Sequence, residues 1–106
     1  MAQAAHDIKA EDVVVLDLRK LATFSDYFVI ASGRSDRQAQ AIADNIQDEL
    51  KKKGLTPISI EGYQTGHWVL IDYANVVAHI FYQETREFYA LDKLWGDAPK
   101  VKLSLK

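Results

Sequence analysis

Residues 62–82 contain two apolar segments separated by a short polar stretch, a pattern typical of a β-hairpin. Both segments are rich in β-branched and aromatic residues, which favour strands. Between them stand Asp72, Tyr73, Ala74 and Asn75. A two-residue turn at Ala74-Asn75 would fix which residues face each other across the hairpin. We therefore predict that this hairpin lies at the centre of a sheet, with these facing pairs: Trp68 with Phe81, Val69 with Ile80, Leu70 with His79, and Ile71 with Ala78.

The predicted register gives the hairpin two faces of different composition. The aliphatic face, which we expect to form the core, carries Val69, Ile71, Val76, Ala78 and Ile80. The mixed face carries Trp68, Leu70, Asp72, Val77, His79 and Phe81. Large apolar groups interspersed with an acid and an imidazole suit a surface that a partner covers. The alternative is that a helix of this chain covers the mixed face and that Asp72 and His79 hydrogen-bond to each other.

The chain before the hairpin predicts two strands and a helix. The apolar run within residues 12–18 predicts an inner strand covered on both faces. Residues 24–32 predict a second strand, antiparallel to the first because the connection is too short for a crossover. A capping box from Ser35 to Gln38 then begins an amphipathic helix, and Gly54 ends it.

The remaining segments complete an α/β domain. Residues 4–10 resemble the last turns of a helix, and 56–61 alternate as a short strand that Pro57 confines to an edge or a strand end. Residues 84–95 predict a second amphipathic helix, followed by an extended tail over 97–106. The prediction is a single domain over residues 1–106, a mixed sheet of about five strands with helices packed on it, in the order (α)ββαβββα.

Composition narrows the possible functions. The chain has 106 residues, no cysteine, a net charge of −2 and a pI near 5.9. Disulfides and thiolate metal sites are therefore excluded, and an intracellular protein is expected. The sequence contains neither an apolar run of roughly 18 residues nor a signal peptide, so we expect no membrane segment. The acidic balance leaves few cations for phosphates, which favours a basic protein partner over direct nucleic-acid contact.

The candidate chemistry is sparse. The loop from Ser32 to Ser35 leaves a strand and opens a helix, so its amides could hold a phosphate, but it lacks a full glycine fingerprint. The only plausible metal ligands are His6, His67, Asp72 and His79. No pair of these histidines has helical ligand spacing, and we expect no metal and no other cofactor. The absence of a catalytic constellation favours a binding module over an enzyme.

Several blocks of the chain together resemble the ribosomal silencing factor family, also called the Iojap-related proteins. The blocks are 25–38, Glu61-Gly62, 68–73, 76–81, and Arg86, Tyr89, Leu91 and Leu94-Trp95. The resemblance extends from about Ala10 to Trp95. The chain departs from the family pattern at Ala74, where Gly is usual, at Asn75, where Asp is common, and at Asp92, where Glu is usual. Most of the family's N-terminal helix is also absent.

The resemblance implies a nucleotidyltransferase-like fold without its catalytic carboxylates. It further implies a bacterial cytoplasmic or organellar protein that binds the large ribosomal subunit through ribosomal protein uL14, at the intersubunit face. There it would sterically block the small subunit and repress translation, and the free protein would form homodimers. The alternative function is a nucleotide-binding or vestigial nucleotidyltransferase domain that uses the Ser32 to Ser35 loop.

The resemblance also implies which residues bind the partner. The family's binding tryptophan corresponds to Trp68. Leu70, Val77 and Phe81 would extend its apolar contact. Glu61 and Asp72 would pair with basic groups of the partner, while His79 would either orient Asp72 or serve a purely structural role.

Overall fold

The computed structural model describes residues 1–20, 25–83 and 99–101. In chain order its elements are α1 (Ala2–Asp7), β1 (Glu11–Asp17), β2 (Tyr27–Gly33), α2 (Asp36–Lys52), β3 (Ser59–Glu61), β4 (Trp68–Asp72) and β5 (Val76–Tyr82). The strands form one sheet in the order β1-β2-β5-β4-β3, in which β2 and β5 are parallel and all other neighbours antiparallel. The predicted mixed five-stranded sheet is therefore confirmed. The helix predicted over 84–95 and most of the predicted tail lie outside the described residues.

Helix α2 begins and ends where the sequence predicts. Ser35 is its N-cap, and its Oγ accepts a 3.0 Å hydrogen bond from the backbone N–H of Gln38. The Gln38 side chain does not return to the amide of Ser35, as a standard capping box would require; its Oε1 accepts from the N–H of Arg34, at 2.7 Å. At the other end Gly54, with a φ of +80°, supplies the left-handed residue that closes the helix.

The aliphatic face of the sheet packs against both described helices. The apolar stripe of α2 and one residue of α1 join the sheet in one buried cluster: Ala5, Ala31, Ala39, Ile42, Ala43, Ile46, Leu50, Val69, Ile71, Ala78 and Ile80. Four of the five residues predicted for the aliphatic hairpin face belong to this cluster, and Val76 is partly exposed. Neither described helix combines the length and apolar content that crossing a membrane requires.

The prediction that the first strand is an inner strand is wrong. β1 lies at one end of the sheet, and five of its seven residues are only partly buried. Residues 99–101 lie along its outer edge. The N–H of Asp17 donates to the carbonyl of Pro99, and the N–H of Val101 donates to the carbonyl of Val15, both at 2.8 Å. A short extended segment thus takes the place that a strand was expected to occupy.

The hairpin has the predicted register. All four predicted pairs are observed, and Asp72 faces Val77. The two-residue turn forces Ala74 into a left-handed conformation with a φ of +71°, while the N–H of Tyr73 donates to the carbonyl of Val76 at 2.9 Å. The position where the family usually has Gly therefore does require a positive φ here.

Candidate protein-binding surface

The second face of the sheet presents its side chains in rows that run across the strands. The middle row contains Val14, Ile30, His79, Leu70 and Glu61. On one side of it lie Leu16, Phe28, Val77, Asp72 and Ser59, and on the other lie Ser32, Phe81 and Trp68. Paired residues in a sheet point to the same face. All seven residues predicted to bind the partner therefore share one surface, which we call the Trp68 face.

Burial divides these seven residues into two groups. Glu61 is exposed, and Trp68, Leu70 and Asp72 are partly exposed. In contrast, Val77, His79 and Phe81 are buried, with exposed fractions of 8%, 4% and 0%. These three residues, which the sequence predicts to lie on the partner-binding face, therefore offer little accessible surface for direct contact.

The two groups occupy different parts of the sheet. β5 is the central strand, flanked by β2 and β4, so its side chains on the Trp68 face have neighbours on both sides. Val77 and Phe81 belong to a buried cluster with Leu16, Leu18, Phe28 and Ile30. Trp68 and Leu70 stand on β4, nearer the short edge strand β3, and pack against the margin of that cluster. The accessible part of the Trp68 face is thus on the β4 and β3 side.

Aromatic packing holds Trp68 in place. Its ring stacks on that of Phe81, with centroids 5.1 Å apart and an interplanar angle of 26°. The imidazole of His79 lies beside both rings and meets Phe28 edge-on at a centroid distance of 4.5 Å. Such aromatic pairs contribute about 0.5–1.5 kcal/mol beyond the area that they bury. The partly exposed indole therefore rests on a firm aromatic base.

A hydrogen bond joins Trp68 to His79. The indole Nε1–H donates to Nδ1 of the imidazole over 3.1 Å. Nδ1 can accept only when it carries no proton, so the neutral ring holds its proton on Nε2. Nε2 is buried and has no hydrogen-bond partner within residues 1–20, 25–83 and 99–101. Burial disfavours the imidazolium and lowers the pKa of His79 to about 4.

Asp72 does not pair with His79, and the prediction that His79 orients this carboxylate is wrong. Oδ1 of Asp72 accepts a 2.7 Å hydrogen bond from the N–H of Ala74 and so stabilises the hairpin turn. Asp72 and Ala74 are two residues apart in sequence, so this hydrogen bond is local. His79 instead accepts its hydrogen bond from the indole of Trp68. The acid keeps its second carboxylate oxygen for other contacts on the Trp68 face.

The loop that leads into β4 is fixed to α2. The hydroxyl of Tyr63 donates to Oδ2 of Asp44 at 2.9 Å, which raises the pKa of Tyr63. The Gln40 amide donates to the carbonyl oxygens of Tyr63, at 2.7 Å, and of Gln64, at 3.1 Å. These anchors position the chain just before Trp68. Sequence reasoning did not identify them, because contacts between a helix and a distant loop leave no periodic pattern.

In the loop from Ser32 to Ser35 and the first turn of α2, three backbone amides already donate to nearby side chains. The amides of Arg34, Arg37 and Gln38 donate to the side chains of Gln38, Asp36 and Ser35, respectively. A phosphate bound through these amides would have to displace the side chains that they contact. Gly33 is required for packing, because a Cβ there would lie 2.8 Å from the amide nitrogen of Ala39. In the described part of the chain no group of three His, Asp or Glu side chains is placed to hold a metal.

Comparison with known proteins shows which family this chain resembles. The family described as "Ribosomal silencing factor during starvation" matches residues 1–106. The ribosomal silencing factor RsfS of Bacillus subtilis is 43% identical over 102 residues, which are 96% of this chain and 86% of that protein. The chloroplastic protein Iojap of Zea mays is 33% identical over 103 residues, 97% of this chain and 45% of the maize protein.

The fold has a solved counterpart as well. A crystal structure of a protein from Chromobacterium violaceum superposes with a TM-score of 0.85 at 35% sequence identity. The match covers 97% of this chain and 85% of that one. The chain is therefore similar to these proteins both in sequence and in the arrangement of its strands and helices.

Proposed function

Because this chain belongs to the family of the ribosomal silencing factor during starvation, we propose that it binds the large ribosomal subunit and represses translation. The contact is ribosomal protein uL14 at the intersubunit face, and the bound chain sterically blocks the small subunit. The observation that carries this proposal is the partly exposed Trp68, which lies beside Leu70 and acidic groups on one face of the sheet.

Both parts of the accessible surface have a role in the proposed contact. Trp68 and Leu70 supply the apolar centre, where large aromatic side chains usually contribute most of the binding energy. Glu61 and Asp72 stand at its margin and attract basic groups of the partner, which improves association and orientation more than affinity. The buried Val77, His79 and Phe81 support these residues from within and do not touch the partner.

The proposed action is non-enzymatic. A protein that occupies an interface needs only a complementary surface, and the relatives are named for silencing the ribosome. The occupied backbone amides of Arg34 in the Ser32 to Ser35 loop, and of Arg37 and Gln38 just after it, favour this interpretation over the nucleotide-binding alternative. We place the action in the bacterial cytoplasm, or in an organelle if the source is eukaryotic.

Co-sedimentation with purified large subunits tests the proposal. Truncation of Trp68 to alanine should weaken binding at least tenfold, equivalent to about 1.4 kcal/mol, without unfolding the chain. Ile58→Ala is the matched control, because Ile58 is a large apolar residue, 69% exposed, just before the edge strand β3. Unchanged sedimentation of the Trp68 variant, or equal losses in both variants, would contradict the proposed surface.

A subunit-joining assay separates binding from silencing. Large subunits preincubated with the wild-type chain should form fewer whole ribosomes when small subunits are added, and the Trp68→Ala variant should restore joining. Isolated uL14 should bind the wild-type chain and compete with the large subunit for it. If the chain binds the subunit but whole ribosomes form normally, steric blocking is wrong even though the contact stands.

We also propose that the free chain forms homodimers, as the family resemblance implies. If the Trp68 face is the surface that both the second copy and the ribosome use, the apparent affinity for large subunits falls as the protein concentration rises. Light scattering across a concentration series measures the dimer directly. A monomer at all concentrations would remove the dimer from the proposal and leave ribosome binding intact.

A further inference from the structure

We propose that His79 positions the Trp68 indole for its partner: Nδ1 of the buried imidazole accepts the indole Nε1–H and holds the ring in one orientation. This inference rests on the proposed function, because it takes Trp68 to be a contact residue. His79 itself would not touch the partner. It would act through Trp68, as a positioning residue.

The acceptor of this hydrogen bond, His79, is buried and held in place, whereas the donor, Trp68, is accessible. His79 is 4% exposed and packs between Phe28, at a centroid distance of 4.5 Å, and Phe81, at 6.4 Å. Its Nδ1 is therefore held in place by rings on two other positions of the sheet. Trp68 is partly exposed and donates over 3.1 Å to this acceptor. The buried residue thus constrains the accessible one.

Two contacts constrain different motions of the indole. Stacking on Phe81, at 5.1 Å, limits tilting of the ring plane. Stacking alone tolerates a half-turn of the ring about the Cβ–Cγ bond, which keeps the ring plane, whereas the Nε1–H bond to His79 specifies which edge points inward. A side chain that is already ordered loses less conformational freedom on binding. The hydrogen bond would therefore increase affinity without adding any contact with the partner.

The residue type at position 79 matters for this role. An imidazole with an unprotonated Nδ1 offers an acceptor inside an otherwise apolar cluster of Phe28, Phe81 and Ile30. An apolar residue of similar size would fill the same space but leave the indole N–H without this acceptor. The indole donor of Trp68 on β4 thus explains why a histidine occupies this buried position of the sheet.

Three variants of His79 test the acceptor. Asn places its side-chain oxygen close to where Nδ1 stands and should retain the bond. Gln extends its amide towards the Nε2 position, and Leu has no acceptor. If release lets the indole populate about three orientations, large-subunit binding weakens by roughly three- to tenfold. We expect this loss in His79→Leu and His79→Gln, and binding within about twofold of wild type in His79→Asn.

The indole N–H signal of Trp68 in the NMR spectrum of the free chain provides a second readout. A change in the stability of the fold alone would leave this signal unchanged. The chain has two tryptophans, and the signal of Trp68 is the one that disappears in Trp68→Phe. In His79→Leu we expect this signal to move upfield and to exchange faster with water, while His79→Asn keeps it near its wild-type position. An unchanged signal in His79→Leu would overturn the inference.

A double-mutant cycle distinguishes failure of this inference from failure of the proposed function. Trp68→Phe removes the donor and keeps a ring, so His79→Leu should weaken binding no further in that background. If Trp68→Ala weakens binding but His79→Leu does not, only the positioning role is wrong. If Trp68→Ala itself leaves binding unchanged, the proposed function fails and the inference fails with it.

Discussion

Gly62 lies directly against the backbone of Trp68. Its φ is +74°, and a Cβ atom at this position would overlap the carbonyl oxygen of Trp68. The loop between β3 and β4 therefore closely approaches the backbone of the residue on which the proposed contact is centred. No other residue type combines this φ with so little volume.

Substitution of Gly62 by alanine should destabilise the chain more than a positive φ alone explains. The left-handed conformation costs an alanine roughly 1–2 kcal/mol, and the overlap with Trp68 forces the backbone to shift as well. We expect a total loss of at least about 2 kcal/mol in urea unfolding. Gly54→Ala is the matched control: its φ is +80°, but a Cβ there would meet nothing within 4 Å. Equal losses in the two variants would show that the backbone contact with Trp68 is unimportant.

Replacement of Ala74 by glycine should stabilise the chain. Ala74 is exposed and has a φ of +71°, so glycine relieves strain without removing a buried contact. The greater flexibility of glycine in the unfolded chain offsets part of the gain. We expect a net increase of about 0.5 kcal/mol in the free energy of unfolding, measured as a higher urea midpoint at constant slope. A lower midpoint would mean that the turn tolerates alanine at no cost.

The stability of the chain should fall as the pH drops from about 6.5 to 4. Burial lowers the pKa of His79 to about 4 in the folded chain, whereas an unfolded histidine titrates near 6.5. Between these values the unfolded state binds more protons, so the free energy of unfolding decreases with falling pH, by up to about 3 kcal/mol. Below the folded pKa both states are protonated and this contribution changes no further.

Urea unfolding at pH 7, 6, 5 and 4 measures this dependence. His79→Leu should lack the histidine contribution and lose less stability over the same range. Ile58→Ala serves as the control, because Ile58 is exposed and carries no ionisable group, and its pH profile should run parallel to that of the wild type. If His79→Leu and the wild type lose stability in parallel, His79 does not titrate as its burial implies.

Local patterns were sufficient to predict the elements near the site. The alternation of residue types and the predicted turn at Ala74-Asn75 gave the correct register of β4 with β5. Ser35 and Gly54 marked the ends of α2, because capping and a left-handed C-terminal residue are short-range requirements. The sequence also indicated that Trp68 and Leu70 share a face with His79.

Non-local pairing decided what those patterns left open. The apolar run of β1 reads like an inner strand, yet its place at one end of the sheet depends on which strands pair with it. The burial of Val77, His79 and Phe81 likewise depends on which parts of the chain pack around β5, and the strand's own sequence does not specify this.

The sequence by itself therefore determined the described strands, α2, the hairpin register and the family, because each of these depends on the order of residues along the chain. Only the tertiary structure decided which residues of the Trp68 face reach solvent. It also decided that His79 accepts from Trp68, while Asp72 accepts from the N–H of Ala74. The physical reason is that burial and side-chain pairing depend on neighbours across the sheet, whose positions a period of two along one strand does not specify.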